Sequence, residues 1–285
     1  MRTDGMRKSD NVEDRRGIGG KQLAIGGGLG GIVIAILFML LGGGDSGQIL
    51  ETLQPAGGPA AAGEARPLSE KDKALGDFVS VILADTEEVW GAVFRESGRT
   101  YEKPKLVLFT DSTSSACGYA SAASGPFYCP GDDKVYLDLG FFEQMQRQLG
   151  APGDFALAYV IAHEIGHHVQ NQLGLTDQVM GQQSRLSGTE FNKLMVKMEL
   201  QADFLSGVWA HYAQRTKGFI ESGDIEEGMN AASAVGDDRL QRQSRGTVVP
   251  DSFTHGTSEQ RARWFRKGLE TGDINQGDTF RAKVL

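Results

Sequence analysis

The hydrophobic and polar positions divide the chain into four stretches. Residues 1–21 are polar, lack any apolar repeat and predict a disordered cytoplasmic tail. Residues 22–44 carry no charge and enclose the run Ile32-Val33-Ile34-Ala35-Ile36-Leu37-Phe38-Met39-Leu40-Leu41. At 1.5 Å per residue such a stretch can cross a hydrocarbon core of about 30 Å, which predicts one transmembrane helix. Residues 45–68 are rich in Gly, Ala and Pro with few large apolar side chains, the pattern of a flexible linker. Apolar periodicity returns at residue 69 and continues to the end, so residues 69–285 predict a single folded domain.

Within that domain Ser69 precedes a first turn with Glu70 and Asp72, an N-cap signature. Phe78, Val79, Val81, Ile82, Val89, Trp90, Val93 and Phe94 then continue with helical spacing. Residues 105–109 (KLVLF) predict a strand. Residues 126–129 and 135–139 flank Pro130-Gly131-Asp132-Asp133 and predict a β-hairpin. Helices are predicted over 140–149, from Asp154 to about 173, over 189–217, and over 258–268.

Charge changes the picture at the N-terminal end. The chain has a net charge of −8, yet residues 1–21 hold six basic and four acidic side chains. A basic excess just before an apolar run keeps that end in the cytoplasm and puts everything after residue 44 outside. A cleaved signal peptide is the alternative, disfavoured by the length of the run and by the absence of an A-x-A site directly after it. No Lys/Arg cluster points to nucleic acid. The two cysteines, Cys117 and Cys129, form no CxxC pair. In an exported domain they favour one disulfide over two buried thiols.

The chemistry is concentrated in His163-Glu164-Ile165-Gly166-His167. On a helix, positions i and i+4 share a face, so the two imidazoles can hold one metal ion. Glu164 falls on the adjoining flank, placed to reach a water and not to ligate. This is the HExxH arrangement of zinc peptidases; the alternative is a pair of core histidines. A catalytic zinc takes a third protein ligand and keeps one position open. Glu199 and Asp203 are again i and i+4, beside Met195, Met198 and Phe204. Glu199 is the candidate third ligand, and Asp203 the acceptor for a ring N–H of a ligand histidine. A solvated acidic face is the plainer reading of that pair. His168 points about 100° away from His167 and reads as structural.

Residues 162–170 (AHEIGHHVQ), Glu199-Leu200-Gln201-Ala202-Asp203, Gly207-Val208-Trp209 and residues 250–261 (PDSFTHGTSEQR) together resemble the bacterial neutral zinc metallopeptidases, with the HExxH and ExxxD order of the gluzincins. The resemblance covers most of the chain. It implies a zincin-like α+β domain, mostly helical with a small sheet, that hydrolyses peptide bonds with Zn2+, an activated water and Glu164 as general base. It places the protein in the cytoplasmic (inner) membrane of a bacterium as a single-pass protein, in contact with the lipid bilayer through residues 22–44 and with a peptide or protein substrate outside. His255, in the loop before the last helix, is the candidate oxyanion donor, with a helix-cap or loop histidine as the alternative. Arg261 is a candidate for binding substrate or, instead, a structural carboxylate. In this fold group an edge strand beside the metal binds substrate backbone, and the 126–139 hairpin could supply it. The competing functional reading is a zinc-binding, non-catalytic scaffold or regulator at the membrane.

Overall fold

A computed structural model describes residues 1–16, 67–121 and 124–285. The apolar run at 22–44 and residues 45–66 of the linker lie outside the described residues. Among the described residues no helix is long and apolar enough to cross a membrane.

The domain is α+β and mostly helical. Helix α1 (Glu70–Glu96) opens it, held by a capping box in which Ser69 and Asp72 satisfy each other's backbone N–H groups. Strand β2 (Lys105–Phe109) follows, then a small hairpin of β3 (Ser112–Ser115) and β4 (Gly118–Ser121), then β5 (Phe127–Cys129) and β6 (Lys134–Asp138). Helices α2 (Leu139–Gln148), α3 (Asp154–Gln172), the short α4 (Leu175–Met180) and α5 (Gly188–Lys217) come next. Helices α6 (Asp224–Ala234), α7 (Asp237–Arg245) and α8 (Ser258–Thr271) complete the order. The hairpin expected around Pro130-Gly131 is present, with Phe127 opposite Tyr136 and Cys129 opposite Lys134. Cys117 and Cys129 are joined in a disulfide that ties the β3–β4 turn to β5.

The main sheet adds a strand β1 (Val12–Asp14) in the order β1-β2-β6-β5, and this first member corrects the reading of the N-terminus. Strand β1 lies parallel to β2, with Val12 beside Leu106 and Asp14 beside Leu108. The expected disordered tail therefore does not hold for residues 1–16. The reason is physical: a three-residue strand carries too little apolar periodicity to be seen. Its stability comes from polar groups that find partners only in the fold, chiefly the buried Glu87 of α1.

The core lies between the sheet and a layer of crossing helices. Trp90, Phe155, Phe204, Trp209 and Phe265 are among its largest fully buried side chains. Each such side chain contributes about 1.5–3 kcal/mol by leaving water. Two close helix crossings set the geometry of everything below. Gly166 of α3 faces Ala202 of α5, where an added Cβ would stand 3.0 Å from the Ala202 carbonyl oxygen. Gly268 of α8 meets α5 so closely that a Cβ would fall 2.0 Å from the Phe204 oxygen. Small residues at both crossings let the three helices approach at backbone distance.

A candidate metal centre on three crossing helices

Because Gly166 sits at the α3–α5 crossing, the histidines on either side of it face Glu199 directly. Glu199 reaches both: its Oε2 is 3.2 Å from His163 Nε2 and its Oε1 is 3.4 Å from His167 Nε2. One ligand atom from each of the three lies within 4.8 Å of the others. Two imidazole nitrogens and a carboxylate oxygen are a donor set suited to zinc, with a side left open to the cleft. Glu164 lines the same cleft without joining the triad. The expected placement of His163, His167, Glu199 and Glu164 is what the structure brings together.

The other ring nitrogen of each histidine is also engaged, which fixes which nitrogen faces the metal position. His163 Nδ1 donates to Asp203 Oδ1 at 2.9 Å. His167 Nδ1 lies 2.9 Å from Gln170 Oε1, and Gln170 is fully buried with its amide donating to the Met198 carbonyl at 2.7 Å. Gln170 is a positioning residue that residue type and spacing did not single out: a glutamine one turn beyond a histidine is ordinary on any helix.

Asp203 is fully buried, and its carboxylate accepts from four groups. Besides His163 these are Tyr159 Oη at 2.5 Å, Arg261 Nε at 2.8 Å and Arg261 Nη2 at 2.9 Å. The second helix crossing explains this, since Gly268 draws α8 against α5 and sets Arg261 beside Asp203. Burial alone would push the Asp203 carboxyl up, but Arg261 and then His163 hold it below the usual carboxylate range. The same surroundings act on His163. Burial disfavours its cation, yet Asp203 and Glu199 raise its pKa to about 9 when protein groups alone surround it. Of the two readings of Arg261, the structure shows the structural carboxylate: its forked edge pairs with Asp203, and its Nη1 donates to the Val235 carbonyl at 3.2 Å.

His255 lines the cleft on the side formed by the loop before α8. A second buried acid, Asp237, holds that loop. Its Oδ2 accepts the backbone N–H groups of Thr254, His255 and Gly256 at 2.7, 2.7 and 3.1 Å. Its Oδ1 lies 3.3 Å from His255 Nδ1. The ring is anchored through Nδ1, leaving Nε2 as its other donor. Asp237 was not visible in the sequence as a functional residue, because nothing in Gly236-Asp237-Asp238 sets it at a spacing that marks chemistry. His168 is structural as expected: it bridges Tyr128 Oη at 3.0 Å and the Glu102 carbonyl at 2.7 Å.

The cleft over these groups has a volume of about 210 Å³, and Phe127, Phe141, Val160, Met180, Met195 and Met198 make up much of its apolar wall. Strand β5, the outer strand of the sheet on that side, contributes Phe127 and Tyr128 to it.

Comparison with known proteins agrees with this geometry. The family described as "Putative neutral zinc metallopeptidase" matches residues 1–280. The chain belongs to that family. The match includes the N-terminal residues that form β1 as well as every residue of the site. The uncharacterized protein YpfJ of Escherichia coli strain K12 is 48% identical over 288 residues, covering 98% of this chain and 99% of the relative. The uncharacterized protein Rv2575 of Mycobacterium tuberculosis strain H37Rv is 40% identical over 218 residues, 73% of each. No solved structure matches.

Proposed function

We propose that the protein is a zinc-dependent endopeptidase of zincin-like fold. The observation that carries this reading is the convergence of His163, His167 and Glu199 at one point, with Glu164 beside them at an open cleft. A purely structural zinc site is closed and has no use for a carboxylate that neither ligates nor pairs. His163, His167 and Glu199 would hold the ion. When bound, zinc supplies Lewis acidity to a water and to a peptide carbonyl.

The chain's own residues then divide the work. Glu164 accepts the proton of the attacking water and returns it to the leaving amine. His255, steadied through Nδ1, offers Nε2–H to the developing oxyanion. Asp203 and Gln170 keep the ligand rings in one orientation. The outer edge of β5 supports an extended substrate lying alongside it by strand addition. The apolar walls favour a large apolar side chain next to the scissile bond. The disulfide supports an oxidising compartment, outside the cytoplasm, for the domain. The apolar run at 22–44 supports attachment to a membrane.

The test uses the full chain. Purified protein should carry about one zinc per chain. Glu164→Gln should retain that zinc while hydrolysis of casein and of a mixed peptide library falls by at least ~10²-fold. Cleavage that survives Glu164→Gln would sink the proposal. A wild-type chain that binds zinc and cuts no member of the library would favour the scaffold reading instead.

A further inference from the structure

The N-terminal strand bears on how the protein meets a membrane. A single crossing by residues 22–44 would place residues 1–16 and the zinc domain on opposite faces of the bilayer, and β1 could not then lie beside β2. Residues 1–16 are nevertheless built into the domain at many points. Leu106 N–H donates to the Asn11 carbonyl at 2.9 Å, Arg15 N–H to the Leu108 carbonyl at 2.8 Å, and Ser9 N–H to the Ser80 carbonyl at 3.0 Å. Arg2 N–H reaches the Phe219 carbonyl at 2.9 Å, just beyond the C-terminal end of α5.

The buried Glu87 shows that the domain depends on this segment. Its carboxylate accepts from Ser9 Oγ, from Asn11 Nδ2 at 2.7 Å and from Arg7 Nη2 at 3.2 Å. Three of its side-chain partners come from residues 1–16, with Lys103 at 3.4 Å the fourth, and together they leave the acid 3% exposed. Loss of residues 1–16 would remove most of these charge-assisted hydrogen bonds. Strand β2 would also become an unprotected edge.

Residue 16 and residue 67 are close to one another in the fold. Arg16 is buried, donates Nη1 to the Asp72 carbonyl at 2.7 Å, and pairs with Asp14 at 2.7 Å. Its guanidinium lies over Gly76, where an added Cβ would stand 2.5 Å from Nη2. Pro67 is five residues before Asp72, so chain reach sets the two ends within roughly 25 Å. Residues 16 and 67, the described residues on either side of the apolar run, both lie at the N-terminal end of α1.

We infer that residues 1–16 and residues 67–285 lie on the same side of the membrane that the apolar run meets. This does not depend on peptidase activity. It replaces the opposite-sides arrangement expected from the basic N-terminal charge.

The two natural cysteines are paired, so single new thiols report cleanly. In the full chain, Asp4→Cys and Asp10→Cys probe the N-terminal segment, while Glu96→Cys and Glu270→Cys probe the domain; all four positions are exposed. Intact spheroplasts are treated with a membrane-impermeant maleimide, and a detergent-lysed sample shows which thiols react at all. Two positions on each side let any unreactive one be replaced by its neighbour. Equal behaviour of the two groups, both labelled or both protected in intact spheroplasts, is the expected result. Labelling of one group with protection of the other until lysis overturns the inference.

Discussion

Two buried aspartates stand behind cleft-lining histidines, and each steadies its histidine through Nδ1. Both carboxyls are fully buried, and both are held below their usual range although burial alone would raise them. They are kept ionised by different means. Asp203 is matched by a fixed charge, the Arg261 guanidinium, with Tyr159 and His163 completing its shell. Asp237 is matched by His255 and by three successive backbone N–H groups of one loop. The difference assigns them different tasks. Asp203 balances charge inside a rigid crossing of helices and orients a metal ligand. Asp237 determines the shape of a loop and, through it, where a hydrogen-bond donor points.

Removing Asp203 tests the first half of the comparison and should have the largest effect. Asp203→Ala leaves Arg261 buried without its carboxylate, which should cost about 3–5 kcal/mol in chemical denaturation of the full chain. Zinc affinity, read by competition with a chelator, should fall by roughly 10–100-fold because His163 loses its acceptor. A stability loss below about 1 kcal/mol would mean that the pair is not the buried ion pair described here. The other half predicts a smaller effect on stability and a clear one on turnover. His255→Ala should keep its zinc and lower kcat by about 10²–10³ with little change in KM. Asp237→Asn should lower kcat less, and the double variant should be no slower than His255→Ala, because the aspartate acts through that ring. Additive losses would assign Asp237 a role of its own.

How far these parts were visible in advance follows from the range over which each signal acts. The HExxH helix, Glu199 and Asp203 were legible because their chemistry repeats at helical spacing along one element. Helices α1, α3, α5 and α8 were legible for the same reason, through caps and apolar periodicity. Helices α6 and α7 went unread: α7 is polar along nearly its whole length, so periodicity had little to act on. Strand β1 and Asp237 depend on partners far away in sequence, whereas Gln170 meets His167 one turn away, at a spacing too common to mark a role. Glu87 is 78 residues from Ser9, and Asp237 is 18 residues from His255, so no local pattern announces either contact. Arg261 was seen as important, but which of two partners it takes was decided by the glycine crossing of α5 and α8. Polarity along residues 1–21 misled because several polar groups of residues 1–16, Ser9, Asn11 and Arg16 among them, find partners in the fold.

The sharpest difference between the two aspartates is in how protons compete with the metal, and it has a definite sign. With protein groups alone around it, His163 has a pKa raised from 6.5 to about 9. The protonated ring therefore stabilises the metal-free fold fully below pH 6.5, and that contribution is lost as pH rises towards about 9. Zinc takes only the neutral ring, so binding must expel this proton. Apparent zinc affinity should rise about tenfold per pH unit from pH 7 until it levels off near the folded pKa, with release of roughly one proton from this site per ion bound. Chelator competition in a series of buffers, paired with calorimetry to count protons, measures both quantities. In Asp203→Ala the raising influence of the nearest carboxylate is gone, so the plateau should move to lower pH. In Asp237→Asn it should stay where it is, because Asp237 acts on a ring that does not bind the metal. A plateau that shifts equally in both variants would show that the two aspartates share one electrostatic environment and are not the separate devices their hydrogen bonds describe.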